Sequence, residues 1–328
     1  MCLVGGAGYI GCHTAKVLAK AGFLPVVYDN LSTGHGYAVK WGPFIQGDLC
    51  DRTKLSEAFE RYKPKAVIHF AADALVVKSI SNPGKYYRNN LGSTVSLLET
   101  MNNHGVKHLV FSSTCATYGT PKTTPITEDT PTSPINPYGR SKLMCEEIIH
   151  DFEKAHGIRA VILRYFNAAG ADFETEVGEN HSPETHLIPT IIQTALDQRE
   201  EIVVYGTNFK TKDGSAVRDF IHVNDLAEAH IKALLCESQI INLGSGEGYS
   251  VFEIIEAVQK FCGKTLKVRL EKKRPGEPAI LTADNAKAKK LLDWTPVHSD
   301  LPSLIETAWK WHLLLHENTD LVRQVLKC

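Results

Sequence analysis

The sequence predicts an α/β protein, a doubly wound parallel sheet of about seven strands with helices on both faces and a smaller α/β domain beside it. Three observations carry that prediction. Short, almost wholly apolar strand segments alternate with helical periodicities from residue 2 to about 165, the pattern of strands buried on both faces. The first strand runs directly into a glycine-rich turn that opens a helix. After about residue 170 the alternation breaks: residues 171–216 and 246–328 are richer in loops, prolines and mixed elements, whereas Phe220 to Leu235 and the strand Ile240–Leu243 read as a return to the sheet. The expected division is therefore 1–170 with 217–245 for the larger domain, and 171–216 with 246–328 for the smaller.

Composition removes several classes of function. The chain has 328 residues, 43% of them hydrophobic, enough for two domains with a large core. Lys and Arg (36) balance Asp and Glu (37), and no long basic run with interleaved aromatics occurs, so nucleic acid is not an expected partner. No stretch approaches the roughly 18 uninterrupted apolar residues of a membrane span, and no charged region followed by an apolar run marks export at the N-terminus, where the first strand is short, as though a few residues preceded it. The eight cysteines are scattered without a C-x-x-C pair and read as reduced thiols of a cytoplasmic protein. His181 and His186 lie in a polar loop without matching cysteines, which fits no familiar zinc pattern, so no metal is expected.

Residues 2–4 form the first strand, and a helix follows from about Tyr9 to Ala21, stopping at Gly22. Between them stands Gly5-Gly6-Ala7-Gly8-Tyr9-Ile10-Gly11. Gly5, Gly8 and Gly11 permit a tight turn, a close backbone approach to pyrophosphate and close helix packing, while the helix N-terminus presents free N–H groups. The second strand, Leu24 to Tyr28, ends at Asp29, about twenty residues after the glycines, where an acid is placed to hold both ribose hydroxyls of an adenosine and to repel a 2′-phosphate. NAD is thus favoured over NADP. Asp29-Asn30 is also what a simple turn after a strand looks like.

A third strand runs from Phe44 to Asp48 and a helix from Leu55 to Tyr62. Ala66–Phe70 is a buried strand that leads into Ala71-Ala72, small residues that let a flat ligand lie close. A helix from about Tyr86 to His104 precedes the strand Leu109–Thr114, whose last hydroxyl stands at the carboxyl end of a strand, where such sheets bind ligands. Thr114 could bond a substrate oxygen or, equally, satisfy backbone groups. Ser133-Pro134-Ile135-Asn136-Pro137 announces a helix from Tyr138 to about Ala155, and the strand Ala160–Leu163 follows.

Tyr138 and Lys142 are four residues apart on that helix, hence one turn apart on one face. Any helix presents such pairs. A phenol titrates near 10, and moving it to about 7 takes about 4 kcal/mol, more than one solvent-screened lysine provides. A second positive charge and partial burial are required.

Taken together, Gly5-x-x-Gly8-x-x-Gly11, Asp29-Asn30, Gly47-Asp48, His69-Phe70-Ala71-Ala72, Ser112-Ser113-Thr114, Tyr138-x-x-x-Lys142 and Arg164-Tyr165-Phe166-Asn167 resemble the extended short-chain dehydrogenase/reductase family, more narrowly its UDP-hexose 4-epimerases. The resemblance continues through His186-Leu187-Ile188-Pro189, Val217–Val223 and Arg274-Pro275-Gly276-Glu277, and spans residues 2 to about 315. It implies a Rossmann domain, tightly bound NAD, a UDP-sugar substrate and a homodimer packed through helices near 86–104 and 138–155. It further implies that Tyr138 takes the proton of the sugar 4-hydroxyl, that Lys142 supports it and holds the nicotinamide ribose, and that Thr114 bridges sugar and tyrosine. By the same likeness Gly5, Gly8, Ile10, Gly11, Asp29, Asn30, Asp48, Leu49, Phe70, Ala71, Ala72, Asn89, Tyr138, Lys142 and Phe166 contact NAD. Thr114, Tyr138, Asn167, His186, Leu187, Val203, Tyr205, Arg218, Arg274 and Glu277 line the UDP-sugar site.

Sister reactions leave marks that this chain lacks. Dehydratases of the family place an acidic pair directly after the threonine, where Cys115-Ala116 stands here, and its decarboxylases keep a glutamate nearby. A non-catalytic dinucleotide sensor predicts a broken tyrosine or lysine, and both are intact. A 4-epimerase of another UDP-sugar, an N-acetylhexosamine, uronate or pentose, keeps the same residues. Four positions depart from the family pattern: Thr114 replaces a common serine, Val4 a threonine, Ala74 a lysine, and Leu281 a tyrosine at the position that gates N-acetyl groups.

Overall fold

Apolar side chains on both faces of each central strand require two cores, and the chain builds one on either side of its sheet. The computed structural model describes residues 1–274 and 277–318; Pro275 and Gly276 of the Arg274–Glu277 motif, and the tail from 319, where fraying was expected, lie outside the described residues. The first half runs β1 (Cys2–Val4), α1 (Tyr9–Lys20), β2 (Val26–Asp29), β3 (Phe44–Gln46), α2 (Arg52–Tyr62), β4 (Val67–His69), α3 (Val76–Ser81), α4 (Pro83–Tyr86), α5 (Gly92–Asn103), β5 (His108–Thr114), α6 (Pro137–His156) and β6 (Arg159–Tyr165). The second half runs β7 (Asn167–Ala169), α7 (Leu187–Ala195), β8 (Ile202–Tyr205), β9 (Val217–Arg218), β10 (Phe220–His222), α8 (Val223–Ala233), β11 (Gln239–Leu243), β12 (Tyr249–Ser250), α9 (Val251–Cys262), β13 (Val268–Glu271), β14 (Ile280–Leu281), α10 (Ala286–Leu292) and α11 (Leu301–Glu317).

The main sheet has seven strands, every pair parallel, as the sequence predicts, and their order is β11-β6-β5-β4-β1-β2-β3. Successive residues alternate between its faces. Val4, Val67, Leu109, Phe111 and Ile162 pack beneath α2, α5 and α6 with Leu55, Leu97 and Ile149. Leu3, Val27, Ile68, Val110 and Leu163 pack against α1, α8 and α10 with Leu18, Leu226 and Leu292. A third core gathers Ile188, Ile191, Ile202, Val204, Ile254, Val258 and Leu304 from α7, β8, α9 and α11.

Local chemistry explains the shifts from expectation. The second strand starts at Val26 rather than Leu24, because Pro25 has no N–H to give the ladder, and Leu24 is left exposed. The helix expected from Tyr86 is preceded by α3 and α4 and passes through a π turn, Tyr87–Leu91, before α5. That wider turn aims Asn90 inward. Its side chain accepts from Asp73 N (2.8 Å) and donates to Asp73 O (3.1 Å) and Ser141 Oγ (2.9 Å), tying this segment to α6. Residues 217–218 pair with β12 and β14, and β10 pairs with β7.

One buried ion pair seats α6. Arg164 Nε donates to Glu146 Oε1 at 3.0 Å and its NH2 to Oε2 at 2.5 Å, while Ser113 Oγ donates to the same carboxylate; both charged side chains are almost wholly buried. Glu146 lies one and two turns beyond Lys142 and Tyr138, so this contact fixes the rotation of the helix that carries them. Removing one partner leaves an uncompensated buried charge at a cost of about 3–5 kcal/mol. Glu146→Gln should therefore lower the unfolding free energy by about that amount in urea titration, and a loss under about 1 kcal/mol would show that the pair does not seat the helix.

Candidate active site

The crevice lies at the carboxyl ends of β1 and β4, the point where the strand order reverses. Gly5 takes φ +76°, and a Cβ there would stand 2.5 Å from Ala71 N; one on Gly11 would stand 2.4 Å from Gly5 O. Only glycine lets α1 start this close to the sheet. Gly8 is the N-cap of α1 and offers no side chain to its amides, and the first turn contains no acid. The N–H groups of Tyr9, Ile10 and Gly11 thus stand ahead of the first intrahelical bond, Cys12 N to Gly8 O, and suit a diphosphate.

Around that cradle the structure places the other residues read from the sequence. Asp29 Oδ2 accepts from Ala7 N (3.0 Å) and Oδ1 from Leu31 N (2.8 Å); burial raises its pKa while these amides lower it. Asp29 therefore also ties the glycine turn to β2, a role the sequence did not disclose. Asn30 Nδ2 donates to Asp48 Oδ2 at 2.8 Å, and Asp48 is held below the usual carboxylate range chiefly by the Cys50 amide. Leu49 is buried beside them. Phe70 N and Ala71 N both donate to Val4 O, holding the Phe70-Ala71-Ala72 turn against the glycine turn. Asn89 lies in the π turn, and Phe166 is buried with Tyr118 and Ile126.

Tyr138 and Lys142 are brought together as expected. Asn136 caps α6 by accepting from Gly139 N (2.8 Å), and Pro137 sets the first turn. Both side chains are buried, and burial acts on them in opposite directions. The Tyr138 phenol is pushed up to about 12, partly offset by a hydrogen bond with the Thr114 hydroxyl. The Lys142 ammonium is pulled down to about 8; it donates to Ser112 O at 2.8 Å, lies 4.7 Å over the Phe111 ring, and has no carboxylate ion pair among the described residues. Thr114 also accepts from Ala116 N at 3.1 Å, and Cys115 beside it is a thiol pushed up by burial to about 12. The lysine alone does not make a phenolate.

On the far wall, Ile202 and Val204 point into a core while Val203 and Tyr205 share the other face of β8. The Arg274 guanidinium lies 3.8 Å over the Tyr205 ring. Arg218 donates to Glu277 Oε1 (3.1 Å) and to Val217 O (2.8 Å), and burial lowers its pKa against the pull of Glu277. Cys115 and Arg274 both act on the Arg218 charge, so this cluster adjoins the end of β5. Asn167 is fixed by donating to Asp219 O at 2.8 Å. His186 caps α7 ahead of Leu187, but its ring meets Glu179 in a separate group of charges.

The sequence reading missed Glu146 and Asp219. Asp219 accepts from Ser245 N, Ser245 Oγ, Gly246 N and Ala283 N, and so joins the loops after β11 and β14 beside Arg218. The available signal was an acid among apolar neighbours in Arg218-Asp219-Phe220-Ile221. Glu146 was readable only as the next turn of the Tyr138–Lys142 stripe.

Residues 1–244 match the model of the NAD dependent epimerase/dehydratase family. The chain belongs to that family. Among family members, it is 48% identical over 315 residues to the UDP-glucose 4-epimerase of Rhizobium meliloti (strain 1021), covering 94% of this chain and 96% of that one. A Brucella ovis UDP-glucose 4-epimerase solved with NAD superposes with a TM-score of 0.92 at 48% identity, over 94% of this chain and 97% of that one. The UDP-Glc/GlcNAc 4-epimerase of Campylobacter jejuni superposes with a TM-score of 0.84 at 41% identity, over 95% and 98%.

Lys142 makes the family's buried cation measurable. An unfolded lysine keeps its proton up to about 10.5, the folded one up to about 8, so between those values the unfolded chain binds more protons and stability rises with pH. Lys142→Met removes that slope. In the coenzyme-free protein, wild type should gain about 2 kcal/mol on the variant between about pH 7.5 and 9.5 in denaturant titrations; a constant difference would place the ammonium in water.

Proposed function

We propose that this chain interconverts UDP-glucose and UDP-galactose by inverting C4 of the hexose with tightly bound NAD. The observation that carries the reading is a buried tyrosine with a threonine hydroxyl on its phenol and a lysine one turn away, at the carboxyl end of β5. The cradle fits the coenzyme: two glycines at which a Cβ would collide, free amides at the start of α1, and the acid of Asp29. Gly5, Gly8, Ile10 and Gly11 would hold its diphosphate, Asp29 and Asn30 a ribose, Asp48 and Leu49 the adenine side, and Phe70, Ala71, Ala72, Asn89, Lys142 and Phe166 the remainder. Bound NAD supplies a reversible acceptor for the C4 hydride and a positively charged ring.

This chain's residues supply the rest. Tyr138 removes the 4-hydroxyl proton and returns it, with Thr114 bonded to both oxygens. Arg218 and Arg274 neutralise the UDP diphosphate, and Asn167, Leu187, Val203, Tyr205 and Glu277 line the nucleotide and sugar, while the His186 ring, expected there, is turned to Glu179. No acid follows Thr114, so nothing beside the sugar promotes loss of water after oxidation at C4. Purified protein given UDP-galactose without added NAD should form UDP-glucose, and Tyr138→Phe should slow this by about 10²–10⁴-fold. Failure of the wild type to invert the sugar would end the reading. The N-acetyl substrate is the second arm, because Leu281, packed against the cluster of Tyr118, Ile126, Phe166 and Ala283, stands where some members carry tyrosine; equal turnover of UDP-N-acetylgalactosamine would assign a dual specificity.

The phenol should titrate about 3 units lower in NAD-loaded than in stripped protein if the coenzyme's positive ring supplies the roughly 4 kcal/mol that Lys142 alone does not. Phenolate absorbance read against Tyr138→Phe measures the shift, and equal titrations would refute the two-cation account.

Residues 1–170 with 217–245 form the dinucleotide domain in this reading, and 171–216 with 246–328 the nucleotide-sugar domain. Two copies pack through α5 and α6, beside the exposed Val77 and Ile80 of α3. The seven described cysteines are free thiols, which suits the cytoplasm, and no described helix is long and apolar enough to cross a membrane.

A further inference from the structure

We propose that Glu179, His181, Glu184 and His186, in the loop before α7, form a four-coordinate site for a zinc-class divalent cation. The sequence predicts no metal here, because the spacing matches no familiar ligand pattern; folding, not spacing, brings the donors together. One ligand atom from each residue lies within 4.8 Å of all the others. Glu179 Oε1 is 3.1 Å from His181 Nδ1, Glu184 Oε2 is 3.7 Å from His181 Nδ1, and Glu184 Oε1 is 3.5 Å from His186 Nδ1, with Glu179 and His186 in closer contact. A tetrahedral zinc ion with arms of about 2.0–2.2 Å has ligand-to-ligand edges of about 3.3–3.6 Å. Without the ion both imidazoles bond the Glu179 carboxylate, and against the desolvation of burial Glu179 and Glu184 raise their pKa values; zinc would displace those protons, and two carboxylates with two imidazoles made neutral then match a divalent charge and its preference for nitrogen and oxygen donors.

Glu184 points independently to an occupant. Its side chain is 2% exposed, its Oε1 accepts from Thr185 N and His186 N, and its Oε2 is buried in the group without a hydrogen-bond partner. Such an oxygen is costly unless something positive meets it. A neighbouring acidic group shows the contrast: Asp172, Glu174 and Glu176 all converge on the buried Lys16 ammonium, whereas the ion pairs of Glu179 and Glu184 among the described residues are with histidines alone.

The donors are also held in place. Trp311 Nε1 donates to Glu179 O (2.8 Å), Arg199 NH2 to Glu184 O (2.7 Å), and the His35 ring bonds Asn180 O (2.8 Å). Four protein ligands leave no open position, so the ion is structural, a clip from the loop to the first turn of α7. The inference does not rest on the sugar assigned above.

The test uses NAD-bound protein freed of metal by chelator and dialysis. Zinc should bind at one equivalent per chain and raise the Tm by about 3 °C or more at a hundredfold excess over its Kd. Cobalt in its place should give the intense visible bands of a four-coordinate ion without a thiolate charge-transfer band. His181→Ala and Glu184→Gln should each weaken zinc binding at least about tenfold. The proposal is overturned if zinc leaves the Tm unchanged, as when two imidazolium ions neutralise the carboxylates, or if cobalt reports thiolate ligands. Undiminished binding in both variants would overturn it equally, and the cobalt spectrum of the wild type decides the matter should either variant fail to fold.

Discussion

Everything at the active site follows from burying the Lys142 ammonium without a carboxylate. Desolvation works against the charge and against a phenolate on Tyr138, so the pair by itself settles on a neutral phenol beside a lysine that gives up its proton easily. What partly compensates the lysine is a backbone carbonyl and a ring face, Ser112 O and Phe111, both fixed in β5. A carboxylate there would have secured the ammonium and taken away its influence on the phenol. The nearest one on the helix, Glu146, is bonded to Arg164 and Ser113 rather than to Lys142, so it only partly offsets the desolvation of the ammonium while it locks α6 in rotation. The same contact thus serves stability and electrostatics.

In the proposed mechanism that arrangement would make the coenzyme part of the acid–base machinery: the protein supplies only one cation, at the cost of its own desolvation, and bound NAD would supply a second positive charge. The cradle is built to bring it there: Gly5 and Gly11 remove the atoms that would hold α1 away from the sheet, and Asp29 uses its two oxygens to hold the turn to β2. Neutralising Asp29 would therefore loosen the turn as well as the proposed ribose contact, and the two losses would be felt together.

Much of this was legible in the sequence, and the illegible part has physical reasons. Apolar strands, the glycine turn and the i, i+4 stripe of α6 are local patterns, and they made the parallel, doubly wound sheet legible but not its strand order. β2 was read two residues early because hydrophobic Leu24 outweighed the missing N–H of Pro25. The π turn before α5 was hidden because its cause is long-range, Asn90 reaching Asp73 and Ser141. Arg218 meeting Glu277, Arg274 covering Tyr205 and Glu179 meeting His186 are tertiary events whose partners carry no shared spacing. The family resemblance named most of those residues, but not what holds them.

The residue after Thr114 shows how little separates one reaction from another on this scaffold. Oxidation at C4 acidifies the neighbouring carbons of any sugar bound here, and a carboxylate beside them would draw off a proton and expel water. Cys115 occupies that place as a half-buried thiol pushed up to about 12, hence neutral across the working range, and Ala116 follows with no polar side chain. Neither can act as acid or base near neutrality. Arg218 lies close enough to influence Cys115, so a carboxylate introduced at 115 would meet a guanidinium already engaged by Glu277. In the proposed site, where Arg218 would meet the diphosphate, such a carboxylate would compete for that charge before it could attack the sugar, so the neutrality of this position would serve the holding of the substrate as much as the confinement of the chemistry to C4.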